Sequence, residues 1–182
     1  MAARQAPDRH AAAVAGARHG AETIDVHVEA IDHRGADFAQ RIRALTVLAF
    51  AQEAQLIGVG STPAQLPHAD GAASVPAYCL GAFRGIDLVG AIVLTADDEP
   101  GQISIASLVV HPDHQRVGIA TALLAQAFER GKGTAFSVCA TAKNAPALAL
   151  YRGLGFVEYR RGHIGPDALP LVKLRRAAYA TV

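Results

Sequence analysis

Between Thr23 and Ile31, Ile24, Val26 and Val28 alternate with Asp25, His27 and Glu29. A period of two predicts a half-buried strand. The period then lengthens: Phe38, Ile42, Leu45 and Ala49 recur at spacings of four, three and four. That is the apolar stripe of an amphipathic helix, opened by Asp37 as its cap with Gln40 as capping-box partner. From Gly58 to Pro76 the pattern dissolves into three Gly, three Pro and small polar residues. This stretch reads as a long connection, with room for one short helix capped by Thr62 and started by Pro63.

Three strands follow as an antiparallel meander: Ala77–Phe83, Leu88–Leu94 and Gln102–Val110, joined by turns at Arg84–Asp87 and Ala96–Gly101. In the third, Ile103, Ile105 and Ser107 share a face, but Leu108, Val109 and Val110 break the alternation. A bulge or burial of both faces accounts for that. After Gly118 the helical period returns at Ala120, Leu123, Leu124, Ala127 and Phe128, with Gly131 as a C′ glycine. Thr134–Ala140 predicts a strand and Asn144–Arg152 a helix ended by Gly153 or Gly155. Phe156–Arg161 and Leu169–Arg175 predict a final strand pair, with Pro170 at a strand start or edge. No repeat and no second domain boundary breaks this order. Residues 1–22 read as a mobile tail, 23–176 as one domain and 177–182 as a C-terminal tail.

Composition narrows the class. The chain has 182 residues, 51% of them apolar and 18% charged, enough for one domain with a sizeable core. Seventeen basic against 16 acidic side chains argue against a nucleic-acid surface. No apolar run approaches the roughly 18 residues a membrane helix needs. Cys79 and Cys139 fit no zinc or disulfide spacing; placed in predicted strands, they read as buried free thiols of a cytoplasmic protein. The eight histidines form no ligating pair on one predicted face, so no metal is expected.

The chemistry concentrates where the third meander strand meets the next helix. Gln115, Arg116 and Val117 precede Gly118, and none is a good N-cap. A helix N-terminus leaves four N–H groups without partners and carries about half a positive charge. Gly118 lets a ligand approach the backbone, and Arg116 can add a phosphate contact. An anion fits there; so does water. Other phosphate motifs fail: Gly131-Lys132 lacks the earlier glycine of a P-loop, and Pro63 interrupts a dinucleotide fingerprint after Gly58 and Gly60.

Gln115–Ala120, QRVGIA, resembles the acyl-CoA pyrophosphate motif Q/R-x-x-G-x-G/A of the GNAT superfamily of N-acetyltransferases. Asn144–Phe156 is similar to that family's downstream pattern at Asn144, Ala147, Leu150, Tyr151, Gly155 and Phe156. The two motifs stand in order with a strand between them, and the resemblance spans roughly Tyr78 to Arg175. It implies an α/β fold: a mixed, mostly antiparallel sheet of six or seven strands, flanked by helices, with its fourth and fifth strands splayed. It implies acetyl-CoA as cosubstrate. Val109 and Val110 would pair with the pantetheine arm, and amides from Arg116 through Val117, Gly118, Ile119 and Ala120 to Thr121 would hold the pyrophosphate. Gln115 belongs to the same motif. Asn144 would hydrogen-bond the pantetheine, and Tyr151 would protonate the leaving thiolate.

One departure concerns the base. Some members carry a glutamate on the fourth strand; counting back from Gln115, that position here is Ser104. His27, Glu29 and His68 are weak substitutes, His111 reads as structural, and no base is assigned. The resulting expectation is acetyl transfer to the primary amine of a small molecule or peptide, by direct attack in a ternary complex. The alternative is a non-catalytic acyl-CoA-binding module, for which Ser104 speaks and against which Tyr151 does. The small residues Ala106 and Ser107 do not exclude a longer acyl group. The acceptor is not legible, and the resemblance leaves room for a homodimer.

Overall fold

The computed structural model describes residues 25–60, 77–165 and 167–178. The elements are β1 (His27–Ala30), α1 (Ala36–Ile57), β2 (Ala77–Arg84), β3 (Asp87–Ala96), β4 (Gln102–Val110), α2 (Ile119–Arg130), β5 (Ala135–Thr141), α3 (Ala145–Gly153), β6 (Val157–Ile164) and β7 (Leu169–Arg176). The predicted tail 1–22, Thr23 and Ile24, the short helix at Thr62 and Pro63, His68 and residues 179–182 lie outside the described residues.

Seven strands form one sheet in the order β1-β2-β3-β4-β5-β7-β6. Every pair is antiparallel except β4–β5. The meander and the final pair form as their alternation predicts, because each strand has one apolar set per face. On β3, Ile92 and Leu94 pack with Leu123 and Leu124 of α2, while Ala91 packs with Leu45 of α1. The two helices therefore cover opposite faces. Gly90 brings α2 close: a Cβ there would stand 2.8 Å from Ile119 Cγ2.

The broken alternation of β4 is a bulge. Ser107 opposes Val93 and Ile105 opposes Leu94, leaving Ala106 unopposed. One extra residue flips the phase of everything after it. Leu108 and Val110 thereby join the α2 core, and Val109 the α1 core.

The β4–β5 pairing stops early. It runs from Gln102↔Ala135 to Ile105↔Val138, and beyond that the strands part. The closed end is clamped by Asp97, whose side chain is 2% exposed. It accepts hydrogen bonds from Ser137 Oγ, Lys173 Nζ at 3.0 Å and the Glu99 N–H at 2.9 Å. Burial raises its pKa, but these donors and the Lys173 charge outweigh that and hold the carboxyl below its usual range. One buried carboxylate thus ties the β3–β4 turn to β5 and β7, and the sheet opens only at the other end.

Three local expectations need correction. Gly35, not Asp37, is the N-cap of α1, with no side-chain cap; Asp37 lies in the first turn, 3.8 Å from Arg41. A carboxylate there still favours the helix dipole. Gly131 ends α2 at φ −96°, so it is not a left-handed cap. It is needed because a Cβ would meet Phe136 Cζ at 2.5 Å. Cys79 is buried, but Cys139 is exposed and lines a cavity beside β5.

Candidate active site

His111 leaves β4 with its backbone still bonded to Val89 and caps a 3₁₀ turn, Pro112–His114, by accepting from the Asp113 N–H through Nδ1. Its side chain thus holds the turn that follows β4. The chain then takes two left-handed steps, Arg116 at φ 64° and Gly118 at φ 90°. The second suits glycine; the first costs a non-glycine residue about 1 kcal/mol. Such steps turn successive N–H groups toward one concavity. Gly118 is the N-cap of α2 with no side-chain cap. Ala122 makes the first intrahelical bond, to the Gly118 carbonyl, so the amides of Ile119, Ala120 and Thr121 lie ahead of the ladder. Nothing lies within 4 Å of where a Gly118 Cβ would be.

The residues before this nest divide their roles. Gln115 Nε2 donates to Gln52 Oε1 at 2.7 Å and to the Val110 carbonyl at 3.2 Å. Its side chain fastens the loop to α1 and β4 instead of facing the amides. Arg116 and Val117 are exposed, and Arg116 has no ion-pair partner among the described residues.

Below the nest, Val109 and Val110 pair with Ala91 and Gly90 on one side only. On the other side, beyond Ile105, β5 has drawn away. Buried backbone groups without partners are costly, and an open strand edge accepts an extended ligand as an added strand. The parting encloses a cavity of about 110 Å³, walled by Ile105, Ala106, Ser107, Val138, Ala147 and Leu169 among others.

Tyr151, 5% exposed, lines that cavity from α3 and packs edge-on against Phe156, with ring centroids 5.4 Å apart. Burial, and secondarily the charge of Glu53, push its phenol well above the ordinary tyrosine range. Its hydroxyl is therefore held in the protonated form. Asn144 caps α3, its Oδ1 accepting from the Ala147 N–H at 3.1 Å, and its Nδ2 donates to Glu53 Oε1 at 2.9 Å.

Glu53 did not emerge from the sequence. It reaches the cavity from α1 and accepts a second hydrogen bond on Oε1, from Thr141 Oγ1 at 3.2 Å. Thr46, Phe50, Glu53 and Ile57 are spaced four, three and four apart, so Glu53 interrupts a second inward row of the helix. A charged residue within such a row is the signal that could have found it. The expected site residues Val109, Val110, Asn144, Tyr151 and the 115–121 loop do gather around the parted strands. His27 and Glu29, on β1, lie four strands from β5 in the sheet order and do not line the cavity. Among the described residues no group of His, Cys, Asp or Glu is arranged to hold a metal, and no helix is long and apolar enough to cross a membrane.

A seven-stranded sheet that parts beyond the β4–β5 pairing, parallel alone among the described strand pairs, with an open helix N-terminus at the parting, is the arrangement of the acetyltransferase fold. The chain belongs to the acetyltransferase (GNAT) family, whose model matches residues 52–156. The UPF0157 protein YqkA of Bacillus subtilis (strain 168) is 29% identical over 130 residues, 71% of this chain and 37% of that protein. The chain thus spans little more than a third of that relative's length. Among solved structures, the ribosomal-protein-S18-alanine N-acetyltransferase of Escherichia coli superposes with a TM-score of 0.66 at 16% identity, covering 86% of this chain and 96% of that one. A chain of the NatC complex bound to Gag peptide and CoA gives 0.59 at 16%, covering 85% and 99%. At such identities these likenesses concern the fold.

Proposed function

We propose that the protein transfers an acetyl group from acetyl-CoA to the primary amine of a small molecule or peptide. The observation that carries this reading is the buried Tyr151 lining a small cavity where β4 and β5 part, beside the uncapped start of α2. Amides from Arg116 to Thr121 hold the diphosphate, with the helix dipole and Arg116 adding positive charge. The free edge at Val109 and Val110 pairs with the pantetheine arm, and Asn144 supports it. That places the thioester in the cavity beside Tyr151.

The amine lone pair forms the C–N bond, the C–S bond breaks, and Tyr151 gives its proton to the leaving sulfur. The amide nitrogen then loses a proton, which restores the phenol. Neither free thiol is needed as a nucleophile, so attack is direct. Free thiols and balanced charge suit a cytoplasmic setting, with the domain spanning 23–176. The non-catalytic alternative rests on Ser104 and predicts binding without turnover. Thiol release from acetyl-CoA across an amine panel decides between them. Tyr151→Phe should lower kcat about 10²-fold or more while acetyl-CoA affinity stays as in wild type. Release from no amine, despite tight acetyl-CoA binding, would leave only the module.

A further inference from the structure

The cavity holds one ionisable acid that is neither thiol nor phenol. Glu53 is the only carboxylate or cation among its described lining residues. Its two oxygens are treated differently. Oε1 accepts from both Thr141 Oγ1 and Asn144 Nδ2, whereas Oε2 accepts from no group among the described residues. The two donors fix the carboxylate plane and leave one oxygen free. Its surroundings are apolar or neutral: Phe50, Leu108, Ala140, Cys139 and Ser107. Glu53 is half-buried there, and a cation entering the cavity meets no other charged lining residue among those described. Glu53 also lies close enough to Tyr151 to raise that phenol's pKa.

We infer that Glu53 Oε2 receives the acceptor as an ammonium ion and takes the proton that frees its lone pair. This deepens the transfer reading and rests on it. Glu53 becomes a carboxylic acid, the neutral amine attacks the thioester carbon, and the proton later leaves Glu53 for solvent. The site therefore selects alkyl amines, charged at neutral pH, over aryl amines, which are neutral there. It also explains why β4 needs no carboxylate at Ser104: the acid comes from α1, across the parting.

The test compares wild type with Glu53→Gln, which keeps both acceptor contacts on its carbonyl oxygen but not the charge, and with Glu53→Asp. Alkyl primary amines and aniline are assayed for thiol release. Butylammonium is titrated by calorimetry into protein saturated with coenzyme A. Expected are a fall of about 10²-fold in kcat/KM for alkyl amines in Glu53→Gln, a clearly smaller change for aniline, partial recovery in Glu53→Asp, and loss of butylammonium binding in Glu53→Gln alone. Equal effects on both amine types, no effect on alkyl amines, or loss of coenzyme A binding in Glu53→Gln would overturn the inference. The two readings fail separately. No turnover with Glu53-dependent butylammonium binding would sink transfer and keep the ammonium site. If no amine turns over and butylammonium binding is absent or insensitive to the variants, the ammonium site falls too.

Discussion

Cys79 and Tyr151 show what burial does to an acid. Both sit in the core, 2% and 5% exposed, and both are pushed toward the protonated form. For Tyr151 this keeps the hydroxyl protonated. For Cys79 it ties stability to pH. Its thiol is pushed from 9.0 up to about 12. The folded state thus holds the proton more tightly, so the stabilisation is whole below pH 9 and is lost as the pH rises toward 12. Between pH 8 and pH 10, wild type should lose about 1.4 kcal/mol more than Cys79→Ala. Urea unfolding at the two pH values measures this, and parallel losses would contradict it. Among the residues around the parting, those in motifs were legible because their positions are written in local spacing. Tyr151 and Gly118 stand at fixed distances from other motif members. Glu53 was not legible, because it reaches the site from α1 by a contact 91 positions along the chain, to Asn144.

At the scale of elements, periodicity placed the helices and strands because each buries one face. The third meander strand appears at its predicted bounds, Gln102–Val110, and its broken alternation is the bulge at Ala106. Ends were less legible. Asp37 carries the right side chain for a cap, yet α1 starts one residue earlier at Ala36. Gly131 fits the pattern of a helix-ending glycine, but its reason is tertiary. A methyl group there would stand 2.5 Å from Phe136 Cζ and 2.9 Å from Ile103 Cδ1. Phe136 is 1% exposed and has no free direction. Gly131→Ala should therefore destabilise the fold by about 1–3 kcal/mol through overpacking. Acetyl-CoA affinity should be spared, because the strain falls at the opposite end of α2 from the nest. An unchanged urea midpoint would mean that the interior yields more easily than this packing implies.

Across the whole molecule, the working feature is a sheet clamped at one end and open at the other. Asp97 with Ser137 and Lys173 holds the closed end. At the open end, α1 reaches both sides of the parting: Gln52 bonds Gln115 of the loop after β4, and Glu53 bonds Thr141 of β5. The alternation of single strands could not foretell the parting, since it is a relation between two strands; only the resemblance suggested it. Diphosphate capture at the start of α2 is the claim on which every later step depends. Calorimetry with acetyl-CoA tests it most directly, on wild type and on Gly118→Ala. The variant forces a side chain to φ 90° in otherwise open space, at a stability cost of about 1 kcal/mol. The account predicts one-to-one binding that weakens with salt, and affinity about tenfold lower in the variant. No heat and no thermal shift with wild-type protein at millimolar acetyl-CoA and low salt would contradict it.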